Sequence, residues 1–304
     1  MSYRKDIRKA WNHVHSIPSR KLETRVGTVE YAVKGRGLPV LMSHGILGCH
    51  TEGVGMVRAY FGSDCMGIAP SRFGYFGSTM PADATPALQA DIYAELLDHL
   101  EVDRTVVIGY SAGGPSAIEF ALRHSDRVVA LALTAAALPP SVKQPDFMAP
   151  ILRTVTRTEL FFWMFKAFMP RKLRGLMGVP KNYAATPGEE ITIHDVSESI
   201  FPIVPRRVGF VFDAFVGNPY VSQCILEDIA VPTIIVHSAD DSLAPYEHAV
   251  NAAPRIPNAE FVTMPTGGHL FLSHEADVRD ALNGFVAKVA APLTSTASST
   301  GATS

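Results

Sequence analysis

Three polar residue types recur in this chain at positions where they could do acyl-transfer chemistry: a hydroxyl at Ser111, a carboxylate at Asp240 or Asp241, and an imidazole at His269. The hydroxyl lies within Gly109-Tyr110-Ser111-Ala112-Gly113, directly after the apolar run Val106-Val107-Ile108. A serine between glycines on a sharp strand-to-helix turn has its hydroxyl exposed, and the missing side chains let the turn close tightly. Pro115 suits the first turn of the helix that follows. Ala117, Ile118, Phe120, Ala121 and Leu122 continue it with a helical apolar pattern, which runs to about His124. A neutral serine is a weak nucleophile, so it needs a base within hydrogen-bond reach, and the base needs an orienting partner. His269, after Gly267-Gly268, and the Asp240-Asp241 pair supply those types in the order Ser, Asp, His.

These side chains need a scaffold that brings distant loops together. Leu38–Ser43, Cys65–Ala69, Val106–Ile108, Val128–Leu133, Val231–Val236 and Glu260–Met264 read as strands, and Arg25–Val33 as a half-exposed one. Ala87–Leu100, a stretch near Tyr246–Ala253 and Ala276–Val289 read as helices between or after them. Strand–helix alternation with apolar strands predicts an α/β fold, with a mostly parallel central sheet and helices on both faces. In such sheets the loops at the carboxyl ends of the strands hold the ligand. Ser43–Gly48, the Ser111 turn, His237–Pro245 and Pro265–His269 are those loops here.

At this point the chain resembles the α/β-hydrolase superfamily. The matching pieces are His44-Gly45, the glycine-flanked Ser111, Asp241 with Ser242-Leu243-Ala244-Pro245 behind it, Gly267-Gly268-His269, and the glycine-rich loop Pro70–Ser78. The resemblance spans about residues 25–290 and implies a Ser111–His269–Asp241 triad, with Asp241 favoured over Asp240 by its distance from Pro245. It places oxyanion-holding backbone amides at Ile46 and Ala112. Tyr110 and His44 are candidate substrate neighbours, Tyr110 by adjacency to Ser111, and His44 has the alternative of hydrogen-bonding the loop backbone and shaping the oxyanion pocket. Phe73 and Tyr75 are pocket neighbours only by adjacency. His237 and His248 read as structural or solvated, and Cys49 as a small buried hydrophobe.

The implied activity is cofactor-free, metal-free hydrolysis of a carboxylic ester or related acyl compound through an acyl-enzyme. Cleavage of C–C, lactone or amide bonds, perhydrolysis and haloperoxidase-like chemistry stay open on the same triad. So does a non-enzymatic ligand-binding role. A nucleotide-dependent enzyme is disfavoured, since the Gly109–Gly114 turn lacks the lysine of a phosphate-binding loop.

The 304 residues are 47% apolar and 18% charged with a net charge of −2, which favours a small-molecule substrate over nucleic acid. Three separated cysteines point to reduced thiols and a cytoplasmic setting. No apolar run is long enough for stable membrane insertion, and the oligomeric state is open. The expected organisation is an N-terminal helical extension (1–24), a core formed by 25–138 and 220–290, a helical cap insertion (139–219) and a disordered tail (291–304). The aromatic run 161–168 reads as cap core and pocket lining, with surface attachment as its alternative.

Overall fold

The computed structural model describes residues 2–141 and 144–297. Helix α1 (Tyr3–Val14) precedes an antiparallel pair, β1 (Arg20–Thr24) and β2 (Gly27–Gly35). Then come β3 (Leu38–Ser43), α2 (His50–Phe61), β4 (Cys65–Pro70), α3 (Pro86–His99), β5 (Thr105–Tyr110), α4 (Gly114–Arg123) and β6 (Val128–Thr134). Six helices follow before the next strand: α5 (Met148–Val155), α6 (Glu159–Phe168), α7 (Pro170–Leu176), α8 (Pro187–Ser199), α9 (Arg207–Phe212) and the single turn α10 (Asn218–Tyr220). The chain closes with β7 (Thr233–Ser238), α11 (Tyr246–Ala252), β8 (Glu260–Met264) and α12 (Glu275–Ala297).

The strands form one eight-stranded sheet in the order β1-β2-β4-β3-β5-β6-β7-β8, parallel from β4 to β8. Its two-residue period sorts the strand side chains between two cores. Leu41, Val107, Leu131, Leu133 and Ile235 pack with α3, α4 and α11 on one face. Val40, Met42, Val106, Ile108, Ala130, Ala132, Ile234 and Val236 pack with α2 and α12 on the other. Burial on both faces explains why these strands read as unbroken apolar runs. β3 leads outward to β4 on one side while β5 leads to β6 on the other, which opens a crevice between the β3 and β5 carboxyl ends.

The fold departs from expectation in three places. Residues 20–24 are an edge strand rather than part of a helical extension; Arg20, Lys21 and Glu23 are exposed, so β1 carries no apolar alternation to read. α12 continues as helix through Ala297, into the stretch expected to be disordered, and residues 298–304 lie outside the described residues. The aromatic helix α6 is core on one side only, where half-buried Phe165 packs against the cluster of Leu173, Met177, Ile193 and Leu272. Leu160, Phe161, Met164 and Phe168 are exposed and share an arc of about 100°. Trp163, whose Nε1–H donates to Asp6 Oδ2 of α1 at 2.9 Å, and Lys166, which is ion-paired with Glu198, share the inner side with Phe165. Cys49, Cys65 and Cys224 are unpaired and buried. Among the described residues no helix is long and apolar enough to cross a membrane.

Candidate active site

β5 delivers Ser111 into a backbone conformation that a non-glycine residue rarely adopts, with φ at +52°. Such strain persists where neighbours over-determine it, and it gathers at functional turns. The tight turn also needs Gly113, because a Cβ there would lie 1.9 Å from the Ser43 carbonyl oxygen at the end of β3. The turn brings Ser111 Oγ to 2.8 Å from His269 Nε2, across 158 positions of sequence.

His269 follows β8, in a short turn after Gly267 and Gly268. Its Nδ1 lies 2.7 Å from Asp241 Oδ2, so Nδ1–H donates to the carboxylate and Nε2 is left to accept the serine proton. Asp241, in the loop after β7, receives backbone N–H groups from Leu243 (2.8 Å) and Ala244 (3.1 Å) on its other oxygen. Burial alone would raise its pKa, but the His269 charge and hydrogen bonds from His237 and His269 outweigh burial and hold the carboxyl well below the ordinary value. Asp240 turns elsewhere: its Oδ1 accepts the Gly268 N–H at 2.8 Å.

The β3 loop lies against the serine, since a Cβ on Gly45 would be 3.1 Å from Ser111 Cβ. Among the described residues the Ile46 N–H donates to no acceptor, and Ala112 is the middle residue of the helical turn Ser111–Gly113. Tyr110 is half-buried, its ring centroid 5.4 Å from that of His269, and its hydroxyl donates to the His269 carbonyl at 3.2 Å.

His44 follows the loop-shaping reading and corrects the expectation of substrate contact. It is 1% exposed; Nε2 accepts the Arg72 N–H at 3.0 Å and Nδ1–H donates to the Gly45 carbonyl at 2.8 Å. Both ring nitrogens are therefore spent on shaping the loop. Burial and the nearby Arg72 charge lower its pKa well below the ordinary value, so the ring stays neutral.

Around this constellation His237 takes the structural role read for it, while sequence reasoning assigns no role to Gly178, Arg72, Arg206 or Asp213. His237 is fully buried, with Nε2 2.7 Å from the Ala244 carbonyl and 3.4 Å from Asp241 Oδ2. Gly178, after α7, receives the His269 N–H on its carbonyl at 3.1 Å. Arg72 forms a buried two-pronged ion pair with Asp213, at 2.7 and 2.6 Å, and Tyr75 donates to the same carboxylate at 2.5 Å. Arg206, 0% exposed, donates to the Leu47 carbonyl and to Glu52. For Gly178, Arg72, Arg206 and Asp213 the local signal was no more than glycine or charge within an irregular stretch.

Residues 39–276 match the family model described as alpha/beta hydrolase fold. The chain is 29% identical over 284 residues to the uncharacterized hydrolase YcgS of Bacillus subtilis, an alignment that covers 88% of this chain and 99% of YcgS. Among solved structures it is similar to an alpha/beta hydrolase fold protein from Nakamurella multipartita, with a TM-score of 0.73, 28% identity, and coverage of 88% of this chain and 99% of that one. A thermophilic esterase from Thermogutta terrifontis shares the fold at a TM-score of 0.67 and 23% identity, covering 90% of this chain and 99% of its own. With sheet order and family match in agreement, the chain is a hydrolase that belongs to the α/β-hydrolase fold family.

Proposed function

We propose that Ser111, His269 and Asp241 form a catalytic triad that hydrolyses a carboxylic ester or related small acyl compound through an acyl-enzyme. The observation that carries this reading is the unbroken hydrogen-bond path from Asp241 through His269 to Ser111 Oγ. In the first step Ser111 Oγ attacks the acyl carbon while His269 Nε2 takes its proton. Asp241 keeps the imidazole in the required tautomer and stabilises the imidazolium that forms. The negative charge on the former carbonyl oxygen falls to the Ile46 and Ala112 amides, each contributing about 3–4 kcal/mol in comparable sites. His269 then protonates the leaving alcohol, and water repeats the cycle on the acyl-serine.

A fluorophosphonate probe applied to wild type and to Ser111→Ala tests the triad, and Ser111-dependent labelling is the expected result. Well-folded wild type that takes no label would leave only a ligand-binding role. A p-nitrophenyl ester series run beside lactone, amide, β-diketone and peracid assays tests the bond type. Turnover confined to an assay other than the esters would replace ester hydrolysis with that reaction on the same residues.

A further inference from the structure

The oxyanion loop is held from outside the core. Leu47, next to Ile46, is a leucine at φ +59°, a strained conformation that persists only when its surroundings fix it. Both of its backbone polar groups are clamped. Its N–H donates to Tyr75 Oη at 3.3 Å, and Tyr75 in turn donates to Asp213 Oδ2. Its carbonyl accepts from Arg206 Nη1. Asp213 also fixes Arg72, whose backbone N–H holds His44, which holds the Gly45 carbonyl. Arg206 and Asp213 are 0% exposed, and both belong to the stretch between β6 and β7, not to the strands that carry the triad.

We propose that Arg206 and Asp213 are positioning residues that set the Gly45–Leu47 turn so that the Ile46 N–H faces the developing oxyanion. The inference rests on the acyl-transfer reading above. It adds that the hole is complete only while the β6–β7 insertion is docked. The triad keeps its hydrogen bonds on core loops, whereas the charge-stabilising amide depends on a guanidinium and a carboxylate contributed by the insertion.

The experiment compares wild type, Arg206→Met, Arg206→Lys and Tyr75→Phe. Its readouts are steady-state kinetics on p-nitrophenyl butyrate, the rate of fluorophosphonate labelling of Ser111, and the thermal midpoint. In labelling, Ser111 Oγ bonds to phosphorus, fluoride leaves, and the serine proton passes to His269, so the P–O oxygen needs the same hole. Arg206→Met is expected to lower kcat by about 100-fold, the scale for losing one oxyanion donor, with KM changed little and labelling slowed in parallel. Arg206→Lys restores part of both rates. Tyr75→Phe removes the acceptor for the Leu47 N–H together with the hydroxyl's bond to Asp213, leaves the Arg206 contact in place and lowers kcat several-fold, which keeps the test intact if Arg206→Met does not fold. Unchanged kcat and labelling rate per titrated Ser111, with only the thermal midpoint lowered, would overturn the proposal and leave the triad standing. Absence of Ser111 labelling in wild type, by contrast, sinks the triad reading itself.

Discussion

Asp240 and Asp241 are chain neighbours whose carboxylates reach different atoms of one turn: Asp241 Oδ2 lies 2.7 Å from His269 Nδ1, while Asp240 Oδ1 accepts the Gly268 N–H at 2.8 Å. One orients the imidazole; the other holds the backbone that presents it. Asp241→Asn is expected to cut kcat by about 10,000-fold, because an amide can donate to Nδ1 and so favour the wrong tautomer. Asp240→Asn retains an acceptor for a bond worth about 1 kcal/mol, so its loss should stay below about tenfold. Ester kinetics on the two variants decide the assignment, and equal losses refute it.

Gly178 lies against the imidazole-bearing residue from the side of the inserted helices. It sits at φ +77°, and a Cβ there would be 2.3 Å from His269 Cβ. Gly178→Ala must therefore shift His269. A displacement of about 1 Å is expected to lower kcat about 100-fold, and the left-handed backbone adds a stability loss of about 1–2 kcal/mol. Gly175→Ala is the control. Its Cβ meets nothing within 4 Å, and alanine is the better helix former by about 1 kcal/mol. Activity that survives Gly178→Ala would show that the contact does not constrain His269.

Glu189 ties the start of α8 to the loop beyond His269. It accepts hydrogen bonds from Ser273 and Tyr183 and from the Thr186 N–H, and these hold its carboxyl down at about 2 against an ordinary value of 4.5. A depressed folded-state value means that the contribution is complete above pH 4.5 and fades as pH falls toward 2. Glu189→Gln should lower the thermal midpoint at neutral pH and flatten its fall across that acid window. Melts from pH 2 to 7 that run parallel to wild type would contradict this.

The residues proposed for the triad were legible because each sits where a simple periodic pattern stops. Val106-Val107-Ile108 ends at glycine-flanked Ser111, Val236 ends at the Asp240-Asp241 loop, and Met264 ends at the turn bearing His269. Burial on both faces made the strands conspicuous, and strand ends converge in a parallel sheet. The edge strand β1 was missed because it buries almost nothing. Arg206 and Asp213 were illegible for a different reason. Their partners Leu47 and Arg72 lie 159 and 141 positions away, in segments without regular periodicity, so no local window holds both ends of the contact. His44 looked functional by position, yet only its fold-dependent contacts with Arg72 and Gly45 show that both nitrogens are occupied.

The three unpaired thiols give the molecule an experimental convenience. All are buried, and burial pushes the Cys49, Cys65 and Cys224 thiols upward, so little thiolate is offered to reagents at neutral pH. A chromogenic disulfide should titrate almost nothing in native protein and three groups after denaturation. A rapid native reaction would mean that the core opens readily. Given that silent background, Phe168→Cys, at a side chain 79% exposed on α6, would carry a fluorophore as the sole reactive thiol. An optical reporter could then follow the helices inserted between β6 and β7 in real time, without removing any native cysteine.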